Sequence, residues 1–346
     1  MEGPDSMASP HHNSSIHLRR AIGPGPLSAD DFEIRASELA PLADGHIRLR
    51  AKAATIDAGT RAMMDPTSGY VVSLPPGEIV PMSATIGEVT ETRHGDYQVG
   101  ETVRVFMVKR SMYFDVAPDT SWGIAKIAPG ADPLLYLGPL GLTGFTAWIG
   151  MMHVACPAPG ETVLVSAAGG AVGSVAGQLA RASGARTIGL AGGAEKCAKV
   201  KEAFGFHDCI DYRSPDLRAL LESACPDGFD IYFENVGGEI QKLAMGLMRE
   251  NGRIALCGQI AQYGGGPAGG GIDLMPAVTK RLRIEGFRSL FHKAEFPRFT
   301  RAMHTLLQQG EVNGAFTTTA GFEKLHEAIN SLNSGGNLGQ QIHVME

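Results

Sequence analysis

The stretch Thr162-Val163-Leu164-Val165-Ser166-Ala167-Ala168-Gly169-Gly170-Ala171-Val172-Gly173-Ser174 constrains this chain more than any other. An apolar run of strand length enters a turn of small residues and passes straight into the helical pattern AVGSVAGQLARASG. That is the context a dinucleotide fingerprint needs. The first glycine of G-x-G-x-x-G is replaced by Ala168, while Gly170 and Gly173 hold the later positions. Without Cβ atoms, these two would allow close pyrophosphate approach and close helix–strand packing. Ala168, Gly170, Ala171, Val172 and Gly173 are therefore candidate cofactor-binding residues. Free N–H groups and the helix dipole would favour a phosphate at the helix start.

The same rhythm continues downstream. ARTIGLA, AEKCAKVKEAFG, HDCIDY, PDLRALLESA, FDIYFENV, GEIQKLAMGLM, GRIALCG and LRIEGF carry strand and helix patterns in turn. Buried strands interleaved with helices predict an α/β domain with a doubly wound parallel sheet over residues 139–309. Residues 31–138 read as β-rich, with HIRLRAKAATI, YVVSLPP, ATIGEVTET and ETVRVFMV separated by Gly, Pro and Asp turns. The tail from 310 to 346 returns to short β patterns ending in QQIHVM. The simplest architecture joins it to the β-rich domain, with the α/β unit inserted between. Residues 1–30 lack an apolar h-region and read as a polar, mobile extension.

Composition excludes several classes. Glycine supplies 45 of 346 residues, nearly twice the usual share of about 7%, with no collagen period. With 30 Lys plus Arg against 36 Asp plus Glu, the net charge is −6. That argues against a nucleic-acid partner, which needs a basic footprint. No run of 18 or more apolar residues predicts a membrane span. Five scattered cysteines without a secretory signal suggest buried thiols in a cytoplasmic protein. No cysteine falls in 31–133 and the histidines are dispersed, so no metal site is expected.

The end of the second strand discriminates between dinucleotides. NAD proteins place an acid there for the ribose hydroxyls. Here RTIGLA runs into Gly192-Gly193-Ala194, and Glu195 and Lys196 come only at the helix start. A missing carboxylate and a nearby cation favour NADP(H).

The blocks AAGGAVGSVAGQLA (167–180), AGGAEKCAKV (191–200), IDYRS (210–214), DIYFENVGGEI (230–240), GRIALCGQIAQY (252–263) and NLGQQIHV (337–344) carry a family resemblance. Over about residues 31–346 the chain resembles the zinc-independent medium-chain dehydrogenase/reductases, in the leukotriene B4 dehydrogenase / prostaglandin reductase / 2-alkenal reductase branch. The resemblance implies a Rossmann NADP-binding domain inserted in a GroES-like β-rich domain, and a homodimer. It places the counterparts of Lys196 and Tyr212 at the 2′-phosphate and those of Asn235 and Asn337 near the nicotinamide and its ribose. Gly192 lies in the same 191–200 block, and Gly258 follows the strand that borders the ring. Tyr263 becomes the candidate catalytic residue, polarising the substrate or donating a proton.

The expected activity is NADPH-dependent reduction of the C=C bond of α,β-unsaturated carbonyl compounds, with hydride delivered to the β-carbon. Quinone reduction on the same fold and non-catalytic NADPH binding are the alternatives. The substrate side departs from the family. TIDAGTR (55–61) resembles S-x-D-P-Y-M-R with Gly59 in place of tyrosine, and Gln340 stands where relatives carry lysine. Asp57 and Arg61 match the family block, and could equally form an internal ion pair that holds the loop. The glycine-rich loop 264–271 would border the substrate entrance.

Overall fold

The computed structural model describes residues 12–23, 25–68, 72–262 and 273–346. The chain divides into two compact units. One comprises residues 1–137, 318–334 and 341–346; the other comprises 138–317 and 335–340.

The first unit begins with β1 (His12–Leu18), β2 (Phe32–Glu38), β3 (Ile47–Ile56), α1 (Ala58–Met64) and β4 (Pro81–Thr92). It continues with β5 (Thr102–Lys109), β6 (Tyr113–Val116) and β7 (Ala125–Lys126). Antiparallel pairing sets β3 against β4 and β4 against β5, so the strands read from HIRLRAKAATI, ATIGEVTET and ETVRVFMV are adjacent. YVVSLPP behaves differently: Val72 to Pro76 form no strand, and Tyr70 and Val71 lie outside the described residues. Pro75 and Pro76 cannot donate to a ladder.

Residues 12–30 are not the polar extension expected from composition. β1 pairs antiparallel with β2 in a two-stranded sheet. The pattern HNSSIHL hides its period: Ile16 and Leu18, two apart, face one way and are 1% and 0% exposed. They pack with Ile22, Leu27, Phe32, Ile56, Met64 and Val80. Each such burial is worth about 1.5–3 kcal/mol, enough to anchor a segment that counting polar residues would leave loose.

The second unit opens with α2 (Leu142–Ile149), β8 (Thr162–Val165), α3 (Ala171–Ala182), β9 (Arg186–Ala191), α4 (Ala194–Phe204) and β10 (Asp208–Asp211). It proceeds through α5 (Leu217–Ala224), β11 (Phe229–Glu234), α6 (Gly238–Leu247), β12 (Met248–Leu256), α7 (Met275–Thr279), β13 (Arg283–Gly286) and α8 (Phe296–Gln308). Six strands pair in the order β10-β9-β8-β11-β12-β13, every pair parallel. This is the doubly wound Rossmann sheet. Both faces are covered, and all four residues of β8 are buried, as a parallel central strand requires. One core gathers Leu164, Ile188, Leu190, Phe229, Tyr232 and Ile254.

The chain closes with β14 (Phe316–Ala320), α9 (Leu325–Asn333) and β15 (Gln340–Val344). β15 pairs with β3, matching Gln341 to Ile56 and Val344 to Ala53, so QQIHV joins the β-rich sheet. Among the described residues no helix is long and apolar enough to cross a membrane, and no group of three His, Cys, Asp or Glu could hold a metal ion. All five cysteines are free. Cys197, Cys209 and Cys225 are buried, whereas Cys156 is exposed beyond the end of a helix, against the expectation of uniformly buried thiols.

Candidate active site

The turn from β8 to α3 concentrates backbone constraint. Ala167 adopts φ 50°, a left-handed conformation unusual for a residue with a Cβ. Ala168 is fully buried and its N–H donates to Leu190 O at 3.0 Å, tying the turn to β9. Gly170 caps α3 with φ −90° and ψ 174°. A Cβ on Gly173 would lie 2.3 Å from Ala167 O, so only glycine allows this helix to start so close to the strand. The first bond of the helix runs from Ser174 N to Gly170 O at 3.0 Å. The N–H groups of Ala171, Val172 and Gly173 precede it, and such groups are the ones a phosphate accepts from.

The C-terminal block returns to this turn. Gly339 N donates to Gly169 O at 2.9 Å, and Gly170 and Gly339 form a parallel bridge. Asn337 is buried, its Nδ2 donating to Gly339 O at 2.8 Å. The sequence block NLGQQIHV is thereby divided between the two units, with residues 335–340 in the α/β unit.

At the carboxyl ends of β9 and β10 the basic groups converge. A Cβ on Gly192 would stand 3.0 Å from Tyr212 Oη and 3.0 Å from Arg213 Nε and Cζ. Lys196 lays its stem over Gly169, where a Cβ would be 2.6 Å from Lys196 Cε, and donates from Nζ to Gly335 O at 2.8 Å. Burial, and then the Arg213 charge, pull the Lys196 ammonium below the ordinary lysine range. The nearby acids are engaged elsewhere. Glu195 pairs with Lys199 at 2.7 Å on the surface of α4. Asp211 Oδ1 accepts from Gly193 N at 2.8 Å and Arg213 N at 2.9 Å. A strand tip with cations and a hydroxyl but no free carboxylate suits a ribose that carries a 2′-phosphate.

On the other side of β8, the end of β11 carries a buried polar knot. Glu234 is 0% exposed. Its Oε1 accepts from Ser166 Oγ at 2.9 Å, Val236 N at 2.5 Å and Gly237 N at 3.1 Å. Ser166 Oγ accepts from Asn235 N at 2.8 Å, and Asn235 Nδ2 donates to Ser166 O at 2.7 Å. The Asn235 amide is thus oriented with its nitrogen towards the protein. Gly258 N donates to Glu234 O at 3.1 Å, placing the end of β12 beside the same knot. Burial raises the Glu234 carboxyl above the ordinary range, only partly offset by its donors. Among the described residues its Oε2 and the buried Tyr232 hydroxyl have no hydrogen-bond partner, although each group perturbs the other's protonation.

Of the expected residues, the structure gathers Ala168, Gly170, Ala171, Val172 and Gly173 at one turn and Gly192, Lys196 and Tyr212 at a second. Asn235 and Gly258 meet at a third. Tyr263 and the glycine-rich loop lie outside the described residues. Asp57 and Arg61 do not pair with each other. Asp57 caps α1, accepting from Thr60 N at 2.9 Å, and buried Arg61 reaches Gly23 O and, at 4.0 Å, Asp65. Gln340 accepts from Thr143 Oγ1 at 3.0 Å. Sequence reasoning missed Arg213, whose signal was a second basic side chain directly after Tyr212. It also missed the Glu234–Ser166 pair, which no spacing rule connects.

Residues 171–305 match the family model described as Zinc-binding dehydrogenase, and 16–120 match the N-terminal domain of oxidoreductase. The chain is 31% identical to the NADPH-dependent curcumin reductase of Escherichia coli strain K12, over 90% of this chain and 91% of that one. It is 33% identical to the 2-alkenal reductase (NADP(+)-dependent) of Nicotiana tabacum, over 97% and 98%. The crystal structure of CurA from Vibrio vulnificus in complex with NADPH superposes with a TM-score of 0.88 at 30% identity, covering 96% of this chain and 99% of that one.

Proposed function

We propose, from the premise that this chain belongs to the zinc-independent branch of the medium-chain dehydrogenase/reductases, that it saturates a carbon–carbon double bond conjugated to a carbonyl. The chain is an NADPH-dependent oxidoreductase. The observation that carries the finer reading is the near full-length match to a 2-alkenal reductase, joined to a strand tip stocked for a 2′-phosphate. Bound NADPH supplies the hydride.

The protein's part is to bind, orient and stabilise. Gly170 and the free N–H groups of Ala171, Val172 and Gly173 receive the pyrophosphate, and Lys196 and Tyr212 the 2′-phosphate. Asn235, oriented by Ser166, offers its Oδ1 on the nicotinamide side beside Gly258, and Asn337 is assigned to the same end of the cofactor by the family resemblance. Addition of hydride at the β-carbon moves negative charge onto the carbonyl oxygen, and a positioned donor there lowers the barrier. Tyr263 is the side chain assigned to that oxygen, with water supplying the proton at the α-carbon. No charged base is needed. In domain terms, the unit of residues 138–317 and 335–340 binds NADPH.

The proposal includes a homodimer. Among the described residues β13 is the sheet's edge; its four residues are exposed and pair only with β12. Antiparallel pairing of two copies about Ile284 would set Arg283 of each against Glu285 of the other. Exposed Leu274, Met275 and Val278 precede it. Sedimentation of the wild type against an Ile284→Lys variant tests this.

The decisive assay is NADPH oxidation across 2-alkenals, enones and quinones, with products identified by mass spectrometry. Saturated carbonyls are expected. Hydroquinone as the sole product, or tight NADPH binding without turnover on any substrate, would refute the reading.

A further inference from the structure

We propose that Arg213 is a second cation of the 2′-phosphate site and a determinant of selectivity for 2′-phosphorylated adenosine nucleotides. The inference rests on the assignment of the Gly192 turn given above. Arg213 follows β10, whose carboxyl end lies beside that of β9, the edge of a parallel sheet where ligands bind. Its guanidinium carbon and Nε stand 3.0 Å from where a Gly192 Cβ would be, the same distance as Tyr212 Oη. Two donors on consecutive residues therefore converge over a position that has no side chain of its own.

The charge balance there is unusual. Among the described residues Arg213 makes no ion pair, and its contact is with the face of Tyr212, 5.7 Å from the ring centroid. Lys196, within range of its charge, donates to a backbone carbonyl rather than a carboxylate. The two like charges repel, an effect that the neighbouring Asp211 carboxylate offsets only in part and that a bound dianion reverses into attraction. Asp211 directs its Oδ1 to the N–H groups of Gly193 and of Arg213 itself rather than to the guanidinium. The same two bonds fix the Gly192–Gly193 turn against the 211–213 turn, which sets where the guanidinium starts. A guanidinium fork beside a phenol and an ammonium can meet three phosphate oxygens from three directions.

The test uses the full-length protein and two probes, 2′,5′-ADP and 5′-ADP, titrated calorimetrically into the wild type, Arg213→Gln, Arg213→Lys and Lys196→Gln. Arg213→Gln is expected to weaken 2′,5′-ADP about tenfold at low salt, the size of one charge-assisted contact, and to leave 5′-ADP unchanged. Arg213→Lys should recover most of that loss, and the gap should shrink with added salt. An unchanged 2′,5′-ADP affinity in Arg213→Gln, with a loss in Lys196→Gln, would overturn the role of Arg213 and leave the turn's assignment standing. Equal losses for both probes in Arg213→Gln would also overturn it, as the mark of a structural residue. If neither variant separates the two probes, the assignment of the turn falls as well.

Discussion

Replacing Gly173 by alanine strains the β8–α3 turn at its tightest point. The new Cβ would lie 2.3 Å from Ala167 O, 2.9 Å from Ala167 C and 3.2 Å from Ala168 Cα. All are backbone atoms, so no side chain can swing aside. Helix propensity favours the alanine by about 1 kcal/mol. Against that, the gap to Ala167 O must open by roughly 1 Å to reach ordinary contact. Forcing apart close-packed elements costs about 1–3 kcal/mol, and with Ala167 already left-handed the upper end applies. The net loss is about 2 kcal/mol, a fall in Tm of roughly 4–8 °C for a unit of this size. Gly170→Ala is the contrast. Its Cβ would sit 3.2 Å from Ala167 O, on a backbone that alanine adopts freely. The apo Tm should hardly move, while NADPH affinity drops about tenfold or more because the methyl group meets the pyrophosphate. Calorimetry of the apo proteins and NADPH titration by fluorescence separate the two. An unshifted Tm in Gly173→Ala, or equal destabilisation by both variants, would refute the division of labour.

Three further outcomes are expected. His343 is buried, and burial together with Arg110 lowers its pKa to about 3. The stability it contributes is present above the unfolded value near 6.5 and is lost as pH falls. Between pH 7 and pH 5 that is about 2 kcal/mol, and the unfolding free energy of His343→Gln should lack this increment. Glu234 is the opposite case. With its folded pKa raised, its contribution is present below pH 4.5 and lost as pH rises through the folded value. Glu234→Gln should therefore gain on the wild type in thermal unfolding as pH rises above about 4.5; a constant difference would count against a buried ionising carboxyl. Tyr263→Phe should lower kcat about tenfold or more while leaving NADPH binding intact, and an unchanged kcat would assign the oxyanion to another donor.

How far the sequence could be read depended on the range of the physics involved. The β8–α3 turn is local: apolar run, small residues and helix pattern lie within thirteen residues, so the strand–turn–helix was legible. Gly192 and Lys196 likewise follow their strand directly. The buried partnership of Glu234 with Ser166 spans 68 residues and depends on β11 lying beside β8, which no periodicity reports. β1 was misread because seven residues with two buried aliphatics look polar until β2 supplies the opposite edge. Gly339 reaches the β8–α3 turn only because the chain passes back from β14 and α9.

From sequence alone come the parallel sheet, the glycine turn, the absence of an acid at the tip of β9 and the kinship that makes this an NADPH-dependent oxidoreductase. These are properties of neighbours along the chain, where local pattern and backbone sterics suffice. The tertiary structure decided which charges remain without partners. Glu195 turns outward to Lys199, Asp211 is spent on two backbone N–H groups, and Arg213 joins Lys196 and Tyr212 around Gly192. Whether a charge is available to a ligand depends on what packs beside it, and that is settled only when distant strands come together.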